Sequence, residues 1–312
     1  MATENVQQKK IKSVVIISKV YKRPLSSAIK EIAQKFSSYG VKVYIDANTQ
    51  VGFNLPDLEC ISRRDMRDVD LIIVVGGDGS VLGVARTLVD LKVPVLGVNR
   101  GHLGLLTDVS PSNLDENIKK IVNGEYTLEE RTMIDVIVSR HSEDGVGEMV
   151  GHSLATNETV IHSGTIAHMM VLKVSIGDKY MYTIRGDGII INTPTGSTAY
   201  SLSAGGSIIE PHLDLLSLVP MFPHSLNCSP IIIPGKSEIK IEFECPDDLP
   251  ELIAINCDGQ VTMRADTKCT VTIRQHQIPL TLMHPHGYEK EIISLCPPPW
   301  KPRTCLKTIN IC

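Results

Sequence analysis

Ten residues, Leu71 to Ser80 (LIIVVGGDGS), restrict this chain more than any other stretch. An apolar, β-branched run stops at two glycines, and an aspartate, a third glycine and a hydroxyl residue follow. Val81 to Leu91 (VLGVARTLVDL) then resumes with apolar residues at helical spacing. Such a run is a buried parallel strand, and its glycine turn lies at the strand's carboxyl end, where open α/β sheets bind ligands. Gly76, Gly77, Gly79 and Ser80 can bring bare N–H groups against phosphate oxygens, helped by the positive end of the next helix. Asp78 conflicts with that use. A carboxylate repels phosphate unless it has a task, such as holding Mg²⁺ or taking a proton from an attacking hydroxyl.

The flanking chain supports a wound sheet. SVVII (13–17), VKVYI (41–45) and PVLGV (94–98) are further strands. PLSSAIKEIAQKFSSY (24–39) is a helix with Leu25, Ile29, Ile32 and Phe36 on one face and Gly40 as its stop. NRGHLGLLTD (99–108) is a second glycine-bearing loop at a strand end and should lie beside the first. Ser110-Pro111 opens one more helix, ended by Gly124. Strands alternating with helices imply right-handed βαβ units.

Near Tyr126 the texture changes to short β-branched runs separated by turns, the pattern of an all-β, sandwich-like unit. The expected organisation is an α/β N-terminal domain with a mostly parallel sheet (1–125), then a β-rich domain (126–290). The last stretch (291–312) holds four prolines in CPPPWKP, which excludes a regular helix; it is expected to be extended over the surface or disordered.

Length and composition exclude several classes. At 312 residues the chain can bury a real core, and 42% hydrophobic with 21% charged residues is ordinary for a soluble protein. A formal net charge of −4 offers no general field for nucleic acid or anionic membrane. The polar start (MATENVQQKKIK) precedes a run too short for a signal or a membrane span, so the cytosol is the default expectation. Eight cysteines form no CxxC pair and read as incidental thiols. His168 and His224 lack ligand spacing, so no metal site is expected among the protein's own side chains. Lys236 in PGKSE lacks the upstream glycine of a P-loop.

A second dense stretch runs from Asp187 to Gly206 (DGIIINTPTGSTAYSLSAGG). A strand enters a Pro/Gly turn with clustered hydroxyls, and Thr198, Ala199, Tyr200, Ser201, Leu202 and Ser203 follow. Such a segment can hydrogen-bond ribose, amide or phosphate, or it is a capped turn. Asn157-Glu158 puts a polar pair in an apolar strand context, of which one member can face the core. Arg185 stands two residues from Asp187, as a local ion pair or as a phosphate contact. Asp258-Gly-Gln260 reads first as a hairpin turn.

Taken together, GGDG, GVNRGHLGLLTDV, ATNETVIH, GDGIIINTPTGSTAYSLSAGG, VPMFPHSL and DGQ resemble the NAD kinase family, in that family's order and over nearly the whole chain. GGDG alone is shared with 6-phosphofructokinases and lipid kinases; TPTGSTAYSLSAGG discriminates. IAHMM and VPMFPHSL look most like the proteobacterial branch. Leu105 stands where the family often has Phe, and Cys228-Ser229 replaces its small residue and Arg.

The resemblance implies ATP plus NAD giving ADP plus NADP, with Mg²⁺ or another divalent cation, at a site between the two domains. By that likeness Asp78 accepts the proton of the adenosine-ribose 2′-hydroxyl. Asp78, Gly79, Asn157, Glu158, His168, Arg185, Asp187, Thr198 to Ser203 and Gln260 would bind NAD. Part of that set would reach a neighbouring subunit's site in a homodimer or homotetramer. Two alternatives remain open on the residues: a GGDG-type lipid or sugar kinase, and a non-catalytic dinucleotide-binding sensor.

Overall fold

The computed structural model describes residues 9–18, 25–99, 104–141, 147–163, 169–225, 228–244 and 253–287. His168 and the proline-rich tail therefore lie outside the described residues. The first part of the chain gives β1 (Ser13–Ile17), α1 (Leu25–Ser38), β2 (Lys42–Asp46), α2 (Ala47–Phe53) and β3 (Glu59–Ile61). It continues with β4 (Leu71–Val75), α3 (Asp78–Leu88), β5 (Val95–Val98), α4 (Leu114–Val122) and β6 (Tyr126–Arg131).

All five residues of β4 are buried. Leu71, Ile73 and Val75 pack with α1 and α4, while Ile72 and Val74 pack with Val81, Val84 and Ala85 of α3. The two-residue period of a strand thus serves helices on both faces, as in a doubly wound sheet. β4 lies between β1 and β5, parallel to both, which centres the glycine turn on the sheet.

The second part contains β7 (Ile134–Arg140), β8 (Glu148–Ala155), β9 (Glu158–Ser163), β10 (Met170–Ile176), β11 (Lys179–Gly186) and β12 (Gly188–Asn192). After α5 (Tyr200–Ser203) come β13 (Leu215–Met221), β14 (Ile231–Pro234), β15 (Ile239–Glu244) and β16 (Ile253–Cys257). The last are β17 (Val261–Ala265), β18 (Cys269–Gln275) and β19 (Leu280–Pro285). Two six-stranded antiparallel sheets face each other, in the orders β11-β10-β15-β18-β7-β8 and β14-β13-β12-β9-β16-β17. Between them lie Val136, Leu172, Ile241 and Val271 from one side and Ile161, Ile189, Ile191 and Ile255 from the other. The sandwich is the expected fold of this half.

The limits expected at 125 and 290 need one correction. β6 and β19 join the first sheet, whose order is β3-β2-β1-β4-β5-β19-β6. β19 runs parallel to β5 and antiparallel to β6, and four of its last residues in a row are buried. A strand covered on both faces must sit inside a layered sheet, so the chain returns to the first unit after building the sandwich.

Candidate active site

The glycine turn delivers Asp78 as the first residue of α3, after Gly77 in extended conformation. Its carboxylate is half-buried and already engaged. The Leu105 N–H donates to Oδ2 at 2.6 Å and the Leu106 N–H to Oδ1 at 3.0 Å. The Thr107 hydroxyl donates to Oδ1 at 3.3 Å. A side chain at Gly104 would put its Cβ 1.9 Å from Oδ1, so only glycine admits the loop this close. The two strand-end loops therefore do lie side by side, and the second holds the carboxyl group of the first in one orientation.

The opposing wall is the start of β9 and the β16–β17 turn. Asp258 and Gly259 both have left-handed backbones (φ 51° and 63°), and the Gln260 N–H donates to the Cys257 carbonyl at 3.0 Å. This is the expected hairpin turn, but its aspartate does more than turn the chain. The Asp258 side chain is fully buried and accepts from the N–H groups of Thr156, Asn157 and Glu158, at 3.1, 2.8 and 3.3 Å to Oδ1. Arg86 Nη1 stands 3.4 Å from Oδ2. Burial raises the Asp258 carboxyl, while these donors and the Arg86 charge oppose the rise. Gln260 reaches back across the gap, its Nε2 donating to the Gly79 carbonyl at 2.6 Å and its Oε1 accepting from Arg86.

Glu158 is buried, with Oε2 meeting no hydrogen-bond partner. Burial first, and then the Asp258 charge, push its carboxyl up to about 8. Two carboxyls thus share one dry corner, and one is held protonated through neutral pH. Asn157 is half-buried beside it. The TPTG turn seats directly on this corner. A Cβ at Gly196 would come 2.1 Å from the Asn157 carbonyl, and the Thr193 N–H donates to that carbonyl at 2.9 Å.

The structure brings together Gly76, Gly77, Asp78, Gly79, Ser80, Asn157, Glu158 and Gln260. Thr198 and Ala199 follow the TPTG turn half-buried, Ser201 is buried with its hydroxyl on Asn192 Oδ1 at 2.9 Å, and Tyr200, Leu202 and Ser203 face solvent. Arg185 and Asp187 are elsewhere. Asp187 precedes β12, six residues or roughly 20 Å along the strand from Thr193 at ~3.3 Å per residue, and Arg185 lies on β11 opposite Val171 of β10. No ion pair joins them among the described residues. Asp258 and Arg86 are the residues that motif reading missed. The only signal for them was an Asp-Gly pair that a turn explains and an arginine two helical turns beyond Gly79.

Leu105 and Thr198 also wall a cleft of about 820 Å³ between the end of the first sheet and the 195–214 segment. At its floor His284 lies between Asp108, which it contacts through Nδ1, and Glu129, at 2.8 Å through Nε2. Burial works against the charge on His284, but both carboxylates lift it to about 9. Burial likewise opposes ionisation of Glu129, but His284 and Arg131 hold it down to about 2. This group ties β19 and β6 to the loop that grips Asp78.

Fold and site together place the chain in the class of two-unit nucleotide-binding enzymes, in which a glycine loop works against a β-sandwich edge. Residues 10–126 match the ATP-NAD kinase N-terminal domain, and residues 156–284 match the ATP-NAD kinase C-terminal domain. The chain is 40% identical over 277 residues to the NAD kinase of Shewanella loihica, covering 88% of this chain and 92% of that one. It is 45% identical over 223 residues to that of Tolumonas auensis, covering 72% and 74%. Among solved structures, an NAD kinase from Archaeoglobus fulgidus in complex with ATP superposes with a TM-score of 0.67 at 26% identity, covering 88% and 94%. Yeast NADH kinase complexed with NADH shares the fold, with a TM-score of 0.77 at 22% identity, covering 91% and 85%. The chain belongs to the ATP-NAD kinase family.

Proposed function

We propose that this chain transfers the γ-phosphoryl group of ATP to the 2′-hydroxyl of the adenosine ribose of NAD, with Asp78 as general base. The 2′-oxygen attacks phosphorus, the bond to the ADP oxygen breaks, and the hydroxyl proton passes to the Asp78 carboxylate. Phosphoryl transfer depends on positioning and charge neutralisation more than on covalent chemistry, and a positioned base adds typically ~10²–10⁴-fold. Gly76, Gly77, Gly79 and Ser80 would offer backbone donors to the phosphates. Asn157, Glu158, Thr198 to Ser203 and Gln260 would hold NAD. Among the described residues no three His, Cys, Asp or Glu side chains converge on a metal-binding position. A divalent cation, Mg²⁺ in this proposal, enters as part of the ATP substrate and neutralises its phosphates.

The observation that carries the proposal is the fixed orientation of Asp78, held by Leu105 and Leu106 at the mouth of a glycine turn whose Gly79 is bonded to Gln260 of the other unit. In the active assembly, a homodimer or homotetramer, His168, Arg185 and Asp187 would serve a neighbour's site. The exposure of Arg185 supports that assignment, as does Phe222 beside it, 79% exposed. No helix among the described residues is long and apolar enough to cross a membrane, and the cytoplasm is the proposed compartment.

The test is Asp78→Asn, assayed for NADP formation from NAD and Mg-ATP and for NAD binding by calorimetry. Turnover is expected to fall by about 10²-fold or more with NAD binding retained. Undiminished turnover would remove Asp78 as the base, and phosphate appearing on a lipid or sugar instead of NAD would replace the substrate assignment.

A further inference from the structure

Gly79 and Arg86 lie seven residues apart on α3, hence on one face of the helix. Both are gripped by a single side chain from the other unit, Gln260, through Gly79 O and an Arg86 N–H. Arg86 spends another N–H on Asp258, the residue whose carboxylate gathers the N–H groups of Thr156, Asn157 and Glu158. One guanidinium therefore joins the helix that begins with Asp78 to the turn that fixes the edge opposite. Its side chain is only 12% exposed, and the carboxylate it meets is fully buried. A buried carboxylate stripped of its cation, next to another buried carboxyl, is a strongly unfavourable state, so the link is held firmly.

From this geometry we propose that Arg86 is a positioning residue for phosphoryl transfer: its fork sets the register between Asp78 and the Asn157–Glu158 edge by engaging Asp258 and Gln260 at once. The proposal rests on the kinase assignment above and extends it to a side chain not singled out in the sequence. The role requires a planar fork. A lysine supplies a cation to Asp258 but cannot present two parallel N–H groups to two partners on different arms. Loss of the Gln260 arm frees α3 to shift against the sandwich, and a displacement of about 1 Å at a reacting group costs on the order of 10²-fold in rate. The edge that binds NAD stays held by Asp258 and its three N–H donors, so ground-state binding changes less than turnover.

The experiment compares wild type, Arg86→Lys and Arg86→Met in steady-state NADP formation, with thermal midpoints measured on the same samples. For Arg86→Lys the expected result is a midpoint within a few degrees of wild type, kcat lowered about 10- to 100-fold, and a KM for NAD within about threefold. Arg86→Met should lower both kcat and the midpoint, because it also strips the buried Asp258 of its cation. Full kcat in Arg86→Lys would overturn the proposal and leave Arg86 as a charge partner only. Losses of kcat that merely track lost midpoint across all variants would do the same. A wild-type protein that makes no NADP would bring down the kinase assignment itself, a failure visible before any variant is assayed.

Discussion

Asp78 and Asp258 show opposite limits of what a residue's type reveals. An aspartate among glycines is conspicuous because its charge opposes the loop's ordinary use, so it stands out in the sequence as a candidate for chemistry. Asp258 was hidden behind a sufficient explanation, since Asp-Gly between two strand runs is a hairpin turn and does form one. Its second role depends on three N–H groups about a hundred residues away, which no local pattern encodes. Glu158 carries a consequence at the same scale. Its proton is bound more tightly in the folded chain than the ordinary value of 4.5 implies, up to about 8. Ionising it therefore opposes folding, and its contribution declines as pH rises from about 4.5 towards 8. Glu158→Gln is expected to flatten that decline in urea midpoints taken across the interval; an unchanged slope would mean the carboxyl ionises freely. His284 has the same sense of dependence at higher pH, and its partner Glu129 the opposite one. Its pairing stabilises fully below its ordinary 6.5 and is lost as pH climbs through about 9, while that of Glu129 is kept above 4.5 and lost towards about 2. His284→Gln should cost about 3 kcal/mol near pH 6, with the gap to wild type narrowing towards pH 10 in denaturation midpoints.

At the scale of elements, local signals served well where one segment carries its own pattern. β4 occupies Leu71–Val75 as read, and α1 buries Leu25, Ile29, Ile32 and Phe36. α2 was not legible: ANTQVGF mixes two β-branched residues and a glycine, and the helix is started by Asp46, which accepts from the Thr49 N–H at 3.2 Å. β6 and β19 were misplaced for another reason. Each looks like a strand of the sandwich, and only long-range pairing assigns them to the first sheet. The 104–107 loop is the element on which the proposed chemistry leans most. Gly104→Ala would drive a methyl group into the Asp78 carboxylate, a flexible target that can swing aside, so the fold should survive. kcat is expected to fall about 10²-fold with the thermal midpoint changed by no more than a few degrees. An active Gly104→Ala enzyme would show that the observed carboxylate orientation is not the working one.

At the scale of the whole molecule, the site exists because the chain builds one unit, leaves it for a sandwich, and returns through β19 beside β5. That return brings His284 to Asp108 behind the gripping loop, while the β16–β17 turn brings Gln260 to Gly79 in front of it. The family motifs announced the two units and most of the lining residues, but not which motifs touch: Gln260 meets Gly79 and Asp258 meets residues 156–158, with Arg86, Glu129 and His284 joining from outside the motifs. The remaining distance that matters is the one to the acceptor alcohol. A crystal structure with NAD and a non-hydrolysable ATP analogue measures it directly. An Asp78 carboxylate oxygen should lie about 2.6–3.2 Å from the 2′-oxygen of the adenosine ribose, with the γ-phosphorus on the other side of that oxygen. A ribose bound with its 2′-hydroxyl out of reach of residue 78 would contradict the account.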